Sequence, residues 1–408
     1  MTMERTTCVV AGGGPAGMVL GLLLARAGVD VTVLEKHGDF LRDFRGDTVH
    51  PTTLRLLDDL GLGDRFRALP QSRLERLEFP GPHGEPVVAG DFGVLPGKYN
   101  YVAMVPQWDL LDMLAAAAKE EPTFHLRMNT EATETITAGG RVVGVRYGTS
   151  DGTTGELHAD LTVAADGRWS TLRRSAGLVP REFPVPIDAW WFRLPRHAGD
   201  TEAGLTARAS QRAFAVLINR TEYFQIAFLA AKGLDPSLRA AGLAAFRERI
   251  ARLIPDFADR VDAIEDLADV KHLDVRLNRL RTWHTDGLLC IGDAAHAMSP
   301  IGGVGINLAV QDAVAAGRYL AAPLRRHRVR RADLARVQRR RWFATVAVQL
   351  LQGTLHRVLL KPVVDGRRGG LPTGLTSVAR RWPVVRFVPA YLVGIGFRPE
   401  RAPAFARR

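Results

Sequence analysis

The feature that most restricts the fold is Gly12-Gly13-Gly14-Pro15-Ala16-Gly17, a G-x-G-x-x-G turn with its glycines at Gly12, Gly14 and Gly17. It follows Thr7-Cys8-Val9-Val10-Ala11, a continuous apolar run of the kind expected of a strand buried on both faces. It opens an apolar stretch over residues 15–27 that stops at Gly28, as a helix does. Residues 29–35 then alternate and are rich in β-branched side chains, so they read as a second strand parallel to the first. In such a β-α-β unit Gly12 permits the tight turn. Gly14 lets a pyrophosphate approach the backbone with no Cβ in the way, and Gly17 lets the helix pack on the sheet. The unpaired N–H groups at the helix N-terminus favour phosphate. Glu35 closes the second strand, where a carboxylate accepts from both ribose hydroxyls, which points to FAD or NAD rather than NADP at this site.

A second glycine cluster lies far along the chain. The apolar run Leu288-Leu289-Cys290-Ile291 ends in Gly292-Asp293-Ala294-Ala295-His296. Ser299-Pro300-Ile301-Gly302-Gly303-Val304-Gly305-Ile306-Asn307 follows, and then a predicted helix over 307–320. An aspartate here can accept from a ribityl hydroxyl. N–H groups at a helix N-terminus favour negative charge developing on a reduced isoalloxazine.

Between the clusters the pattern predicts helices over 51–60 and 109–119. It predicts strands over 74–79, 86–92, 124–128, 141–147 and 156–164. From about 184 to 275 the character changes to antiparallel strands over 190–192, 213–219 and 223–228, with a helix over 238–253. The expected fold class is therefore α/β, a Rossmann-like FAD-binding domain with an inserted β-sheet substrate domain and a helical C-terminal tail. The FAD-binding domain is expected from residues 1–73, 106–183 and 276–325, the substrate domain from 74–105 and 184–275, and the tail from 326–408.

With these motifs in order, joined by Asp166-Gly167-Arg168-Trp169-Ser170-Thr171-Leu172-Arg173, residues 5 to 320 resemble the FAD-dependent aromatic hydroxylases of the p-hydroxybenzoate hydroxylase type. The resemblance implies that Gly12, Gly14 and Gly17 hold the FAD pyrophosphate and Glu35 the adenosine ribose. It implies that Arg45 contacts the FAD phosphates or ribityl chain, Gln107 the ribityl chain or pyrophosphate, and Asp293 the ribityl chain. Gly303, Gly305, Ile306 and Asn307 would flank the flavin ring, with Pro300 near its oxygen-reacting face. Asp166 would serve both FAD and a reduced nicotinamide. The implied activity is monooxygenation: NAD(P)H binds transiently and reduces the flavin, and dioxygen gives a peroxyflavin that hydroxylates an aromatic or polyketide-like molecule. The flavin carries that chemistry, so no catalytic triad and no metal is expected.

Trp190, Trp191, Phe192, Phe214, Tyr223 and Phe224 fall close together, and on antiparallel strands alternate members would share a face. They read either as one wall for a flat aromatic substrate or as the core of the inserted domain. His50, Arg193 and Arg220 are the nearest polar candidates for orienting a phenol or carboxylate. Trp190-Trp191-Phe192-Arg193-Leu194-Pro195 looks superficially like the halogenase W-x-W-x-I-P motif, which keeps a flavin-dependent halogenase as an alternative beside an FAD-dependent reductase. A non-enzymatic alternative is a basic, membrane-associated FAD-binding protein.

The chain has 408 residues, 46 % of them hydrophobic, and a net charge of +12. Its two cysteines, Cys8 and Cys290, support neither a disulfide framework nor a zinc site; both fall on predicted core strands and read as buried and inert. Nine arginines between 325 and 341 read as a helix with a solvated basic face, with a polyanion or membrane patch as the alternative. No nucleic-acid module is evident. The apolar stretch 384–396 is expected to pack on the flavin domain, or else to touch a membrane peripherally. The N-terminal apolar run is too short for a signal peptide, so a cytoplasmic protein is expected.

Overall fold

The computed structural model describes residues 4–41, 47–80, 86–200, 205–210, 212–220, 222–367 and 384–408. The first strand, β1 (Glu4–Ala11), lies in the middle of the principal sheet, which explains its unbroken apolar sequence. The helix α1 (Pro15–Arg26) leads to β2 (Val31–Leu34), which pairs parallel to β1 with Cys8 opposite Val31. The far side of β1 pairs parallel with β11 (Thr154–Ala164), and β11 in turn with β20 (Leu288–Cys290). The short β8 (Phe124–Arg127) extends the sheet beyond β2. An antiparallel flap of β9 (Thr130–Ala138) and β10 (Arg141–Thr149) joins along β11, and β19 (His284–Thr285) pairs with β20. The two glycine clusters therefore leave parallel strands β1 and β20, with β11 between them, at the same end of one sheet, where ligands of open α/β sheets bind.

Every residue of α1 from Ala16 to Ala25 is buried, because α7 (Val304–Arg325) and α4 (Gln107–Lys119) pack on it as the sheet does. Gly17 is needed here: a Cβ at that position would stand 1.9 Å from the Gly12 carbonyl oxygen. Cys8 and Cys290 are fully buried, and burial pushes both thiols far up, which makes them inert.

A second, antiparallel sheet has the order β14 (Leu205–Ser210), β15 (Ala213–Asn219), β16 (Tyr223–Ala231), β13 (Ile187–Pro195), β17 (Lys271–Leu273). Its two faces divide the aromatic residues. Trp190, Phe192, Phe224 and Phe228 pack under α6 (Asp235–Leu253), while Trp191 and Phe214 face the other way, into a cavity. Each of the two sequence readings thus describes part of the cluster. Small sheets complete the fold: β3 (Thr48–Val49) and β4 (Ser72–Leu74) flank β7 (Val102–Met104), β5 (Arg76–Pro80) pairs with β6 (Pro86–Asp91), and β12 (Arg181–Phe183) pairs with β18 (Leu277–Arg279). The remaining helices are α2 (Pro51–Asp59), α3 (Gly63–Arg67), α5 (Thr171–Ser175), α8 (Arg331–Leu355), α9 (Lys361–Val364) and α10 (Val384–Gly394).

The basic run departs from its sequence reading at Arg340 and Arg341. Most of its arginines are exposed, but Arg341 is buried, its Nε 3.0 Å from Asp312 Oδ1, and Arg340 pairs with Glu400 at 2.5 Å. The stretch 384–396 packs on the small sheets, with Ala390 among Phe92, Leu95 and Met104, and also meets the flavin fold, where Val393 packs on Met298, Val304 and Leu308. Among the described residues no helix is long and apolar enough to cross a membrane.

Phe246 of α6 meets Phe192 and Phe228 edge-on, at 5.6 and 6.1 Å between ring centroids. Phe246→Ala should destabilise the chain by about 3–5 kcal/mol, the usual cost of emptying a buried phenyl site. Urea unfolding would measure it, and an unchanged midpoint would show that this layer contributes nothing to the cooperative core.

Candidate active site

One cavity of about 1030 Å³ runs from the Gly12–Glu35 end to the second sheet. That is at the top of the roughly 300–1,000 Å³ range typical of ligand pockets, as a large ligand requires. At the near end the turn after β1 is built for close approach. Gly12 has φ +105°, and a Cβ there would lie 2.4 Å from the Ala165 carbonyl oxygen. Gly14 is different: it caps α1 in extended conformation, and a Cβ there would meet nothing within 4 Å. That open space lies against the N-terminus of α1, where a pyrophosphate fits. Glu35 is buried at the end of β2, accepting from the N–H of Gly13 at 2.9 Å and of His37 at 3.1 Å. Lys36, His37, Thr130 and Glu131 extend this wall. They carry no motif, which is why the sequence did not single them out.

Asp166, after β11, accepts from the N–H groups of Thr171 (2.8 Å) and Leu172 (3.2 Å) through Oδ2 and so caps α5. Its Oδ1 is buried without a partner, and burial pushes the carboxyl above the usual carboxylate range. Arg168 bridges to the second cluster, Nη2 lying 3.5 Å from Asp293 Oδ2 and Nη1 donating to the Asp274 carbonyl at 3.2 Å. Asp166, Arg168 and Asp293 all line the cavity. Gln107 also lines it at the start of α4, its N–H donating to Asp47 Oδ1 at 3.3 Å.

Beyond Asp293, residues Pro300, Gly303, Gly305 and Ile306 line the cavity where α7 begins. Thr48 Oγ1 donates to the Gly303 carbonyl at 2.9 Å, and His50 Nε2 lies 3.0 Å from the same oxygen. Asn307 departs from expectation. It is buried, and its Oδ1 accepts from the hydroxyls of Thr52 and Thr53, each at 2.8 Å, so its carbonyl oxygen ties α7 to α2. His296 is a structural histidine, fully enclosed with Nε2 2.6 Å from Asp312 Oδ2.

The polar candidates for the substrate also divide. Arg193 is exposed, stacks 4.6 Å from the Tyr223 ring centroid and does not line the cavity. Arg220 is buried behind the wall, paired with Asp47 and donating to Gln225 Oε1 at 3.1 Å; it is Asp47 and Gln225 that reach the cavity. Burial raises the Asp47 carboxyl against the opposing pull of Arg220. His50 reaches the cavity wall with its Nε2 engaged on Gly303. Arg45 lies outside the described residues. The halogenase-like run is split by its own strand, with Trp190 in the core donating to Asp235 at 2.8 Å and only Trp191 in the cavity.

The far half of the cavity is walled by Trp191, Phe214, Val216, Ile218, Leu229 and Leu273 of the second sheet and roofed by Leu355, Leu359, Leu360, Val363, Pro389 and Val393. The sequence missed this roof. These residues are apolar, without polar signature, and reach the site only through tertiary packing.

The glycine turn, the placed acid, the second glycine loop at the same end of the sheet and the adjoining apolar chamber define a dinucleotide-binding flavoprotein with its own substrate compartment. The profile of the FAD binding domain family matches residues 5–350. The 6-methylpretetramide 4-monooxygenase of Streptomyces rimosus is 37 % identical over 362 residues, covering 87 % of this chain and 85 % of that one. A rifampicin monooxygenase of Rhodococcus hoagii is 28 % identical, over 78 % of this chain and 64 % of its own length. The crystal structure of p-nitrophenol 4-monooxygenase from Pseudomonas putida superposes with a TM-score of 0.79 at 20 % identity, over 98 % of this chain and all of the other. The chain belongs to the FAD-binding monooxygenase family of the p-hydroxybenzoate hydroxylase type, and it is a flavin-dependent oxidoreductase.

Two predictions test the site. Gly14→Val places its side chain in free space, so the protein should fold with unchanged circular dichroism yet lose its bound FAD and yellow colour; a variant that retains full FAD refutes the pyrophosphate placement. Burial lowers His50 and His356 to about 4, from an ordinary value of 6.5. Between those values the unfolded chain binds protons that the folded chain refuses, so stability rises with pH across this window and levels off above it. Urea midpoints should therefore fall from pH 6.5 to 4, less steeply in His356→Asn; an equal slope in that variant removes His356 from the account.

Proposed function

We propose that the chain is an NAD(P)H-dependent monooxygenase that hydroxylates an uncharged, flat, polycyclic aromatic molecule of polyketide type. The observation that carries this is the division of one cavity into two chemistries. Glu35, Lys36, Glu131, Asp166, Arg168 and Asp293 lie at the nucleotide end, whereas the far half is apolar apart from Gln225 and Asp47, the latter paired with Arg220 behind the wall. Among the described residues no arginine or lysine lines that half, so a carboxylate bound there would lose its hydration without a partner. A ring system that removes about 200 Å² of apolar surface from water gains roughly 5 kcal/mol at about 25 cal/mol per Å², enough for binding without charge. The 37 % identical relative, which acts on 6-methylpretetramide, supports the same class.

In this reading the turn 12–17 and the N-terminus of α1 take the pyrophosphate, and Glu35 takes the adenosine ribose. Gln107 and Asp293 hold the ribityl chain. The loop from Pro300 to Ile306 faces the flavin ring, with the first N–H groups of α7 favouring negative charge on it. Arg168 and Asp166, which line the cavity beside Asp293, serve the nicotinamide in this reading. The bound flavin supplies redox chemistry and oxygen activation, while Asp47, Gln225 and the chamber wall orient the substrate and exclude water. Dioxygen and NAD(P)H are the co-substrates.

The test is mass spectrometry of products formed under labelled dioxygen with a panel of polycyclic phenols and quinones and either nicotinamide. A single labelled oxygen in the product is expected. Nicotinamide oxidation with no label in any product, or turnover that requires bromide or chloride, overturns the reading.

A further inference from the structure

The helix α8 has an unusual buried face. Gln349, Gln352 and His356 are 3, 2 and 1 % exposed, and their spacing puts them on one side of the helix. A helix that only covered a core would carry apolar groups there, since a buried polar group is costly unless it is hydrogen-bonded. All three find partners on, or next to, a single loop. Gln349 Nε2 donates to the carbonyls of Asn278 (2.7 Å) and Ala297 (3.3 Å). Gln352 engages Ser299 with both ends of its amide: Oε1 accepts the Ser299 N–H at 3.2 Å and Nε2 donates to its carbonyl at 2.9 Å, and also to that of Ile301 at 3.0 Å. His356 Nε2 lies 2.9 Å from Ser299 Oγ.

The residues between these contacts form the cavity wall. Met298, Ser299, Pro300 and Ile301 line the cavity on one side while Gln352 and His356 hold the loop from behind. His356 opens a single π-helical turn, His356–Leu360, and such turns inside α-helices concentrate at functional sites because they re-aim side chains. Here the turn keeps His356 on Ser299 while Leu359 and Leu360 enter the chamber. Both Gln352 and His356 lie beyond residue 350, where the family match ends.

We propose that Gln352 and His356 are positioning residues that fix the loop 298–301 against the flavin ring from the side away from the cofactor. This rests on the placement of that ring beside Pro300 argued above. Neither residue touches the cofactor; each acts through the loop backbone and the Ser299 hydroxyl. A loop displaced by a fraction of an ångström changes the hydrogen bonds and polarity met by the ring, and so its potential and spectrum.

The test uses purified holoprotein of Gln352→Leu, His356→Phe, His356→Gln, Ser299→Ala and the double variant His356→Phe/Ser299→Ala. Each is measured for FAD content, visible flavin absorption and midpoint potential by dye equilibration. Gln352→Leu and His356→Phe should retain FAD yet shift both the absorption bands and the potential, and His356→Gln, which keeps a donor near the Nε2 position, should restore both. Ser299→Ala, which also removes the acceptor of the Ile301 N–H (3.4 Å), should shift them at least as far as His356→Phe, and the double variant no further than Ser299→Ala, because the hydrogen bond between the two side chains is already lost. Holoproteins with wild-type bands and potential overturn the proposal, as does a double variant whose shift is the sum of the single ones. If Gln352→Leu does not yield folded holoprotein, the His356 and Ser299 cycle decides alone. Gly14→Val separates the two levels of the argument: if it keeps FAD, the cofactor placement fails; if it loses FAD while the His356 variants match wild type, only the positioning role fails.

Discussion

The carboxylate of Asp312 is the contact on which the flavin half of the molecule turns. It is fully buried, and it accepts from His296 Nε2 at 2.6 Å, Arg341 Nε at 3.0 Å and the Gly292 N–H at 3.1 Å. These partners hold its carboxyl below the usual carboxylate range despite complete burial. A charge in such a place is tolerated only while its partners remain, and removing one typically costs about 3–5 kcal/mol. The three donors come from the loop after β20, from that loop's own histidine and from α8. One side chain on α7 thereby locks the Gly292-Asp293 turn to two helices. Glu400 extends the set, accepting from Arg318 at 2.8 Å and Arg340 at 2.5 Å.

From this anchored loop outward, the site is a boundary between two environments. On one side lie backbone N–H groups, carboxylates and Arg168, suited to a polar, anionic dinucleotide. On the other lie a β-sheet face and a roof of leucines and valines. The Asp47–Arg220–Gln225 group sits at the seam, buried and internally paired. Because Arg220 is spent on Asp47, the chamber gains polarity without gaining net positive charge.

The parts legible in the sequence are those whose signal is local. The strand–turn–helix at Gly12 to Gly17, Glu35 and the Gly292-Asp293 turn could all be read because each obeys a short-range rule. The split of the aromatic cluster was only half legible. β13 is buried on both faces, so Trp190 and Trp191 look alike in sequence although one is core and the other lines the cavity. Asn307 misled because it sits within the glycine-rich run, and only packing shows its oxygen turned to Thr52 and Thr53. α8 was the least legible. On its inward side Leu334, Val337, Ala344 and Val348 are interrupted by Arg341, Thr345, Gln349 and Gln352, with His356 just beyond, so hydrophobic periodicity marks it only weakly as a buried helix. Polar groups that serve a loop contribute no apolar stripe.

The strand order has a consequence for how this chain is made. β1 and β2 leave the ribosome early, but β11 and β20, which complete the parallel sheet, come from residues 154–164 and 288–290. Synthesis at about 5–20 residues per second leaves the open edge of β1 unpaired for roughly ten seconds or more. During that interval an apolar strand edge is exposed to other nascent chains. High-level recombinant expression should therefore favour insoluble product, and slower translation or early supply of riboflavin should raise the soluble yield.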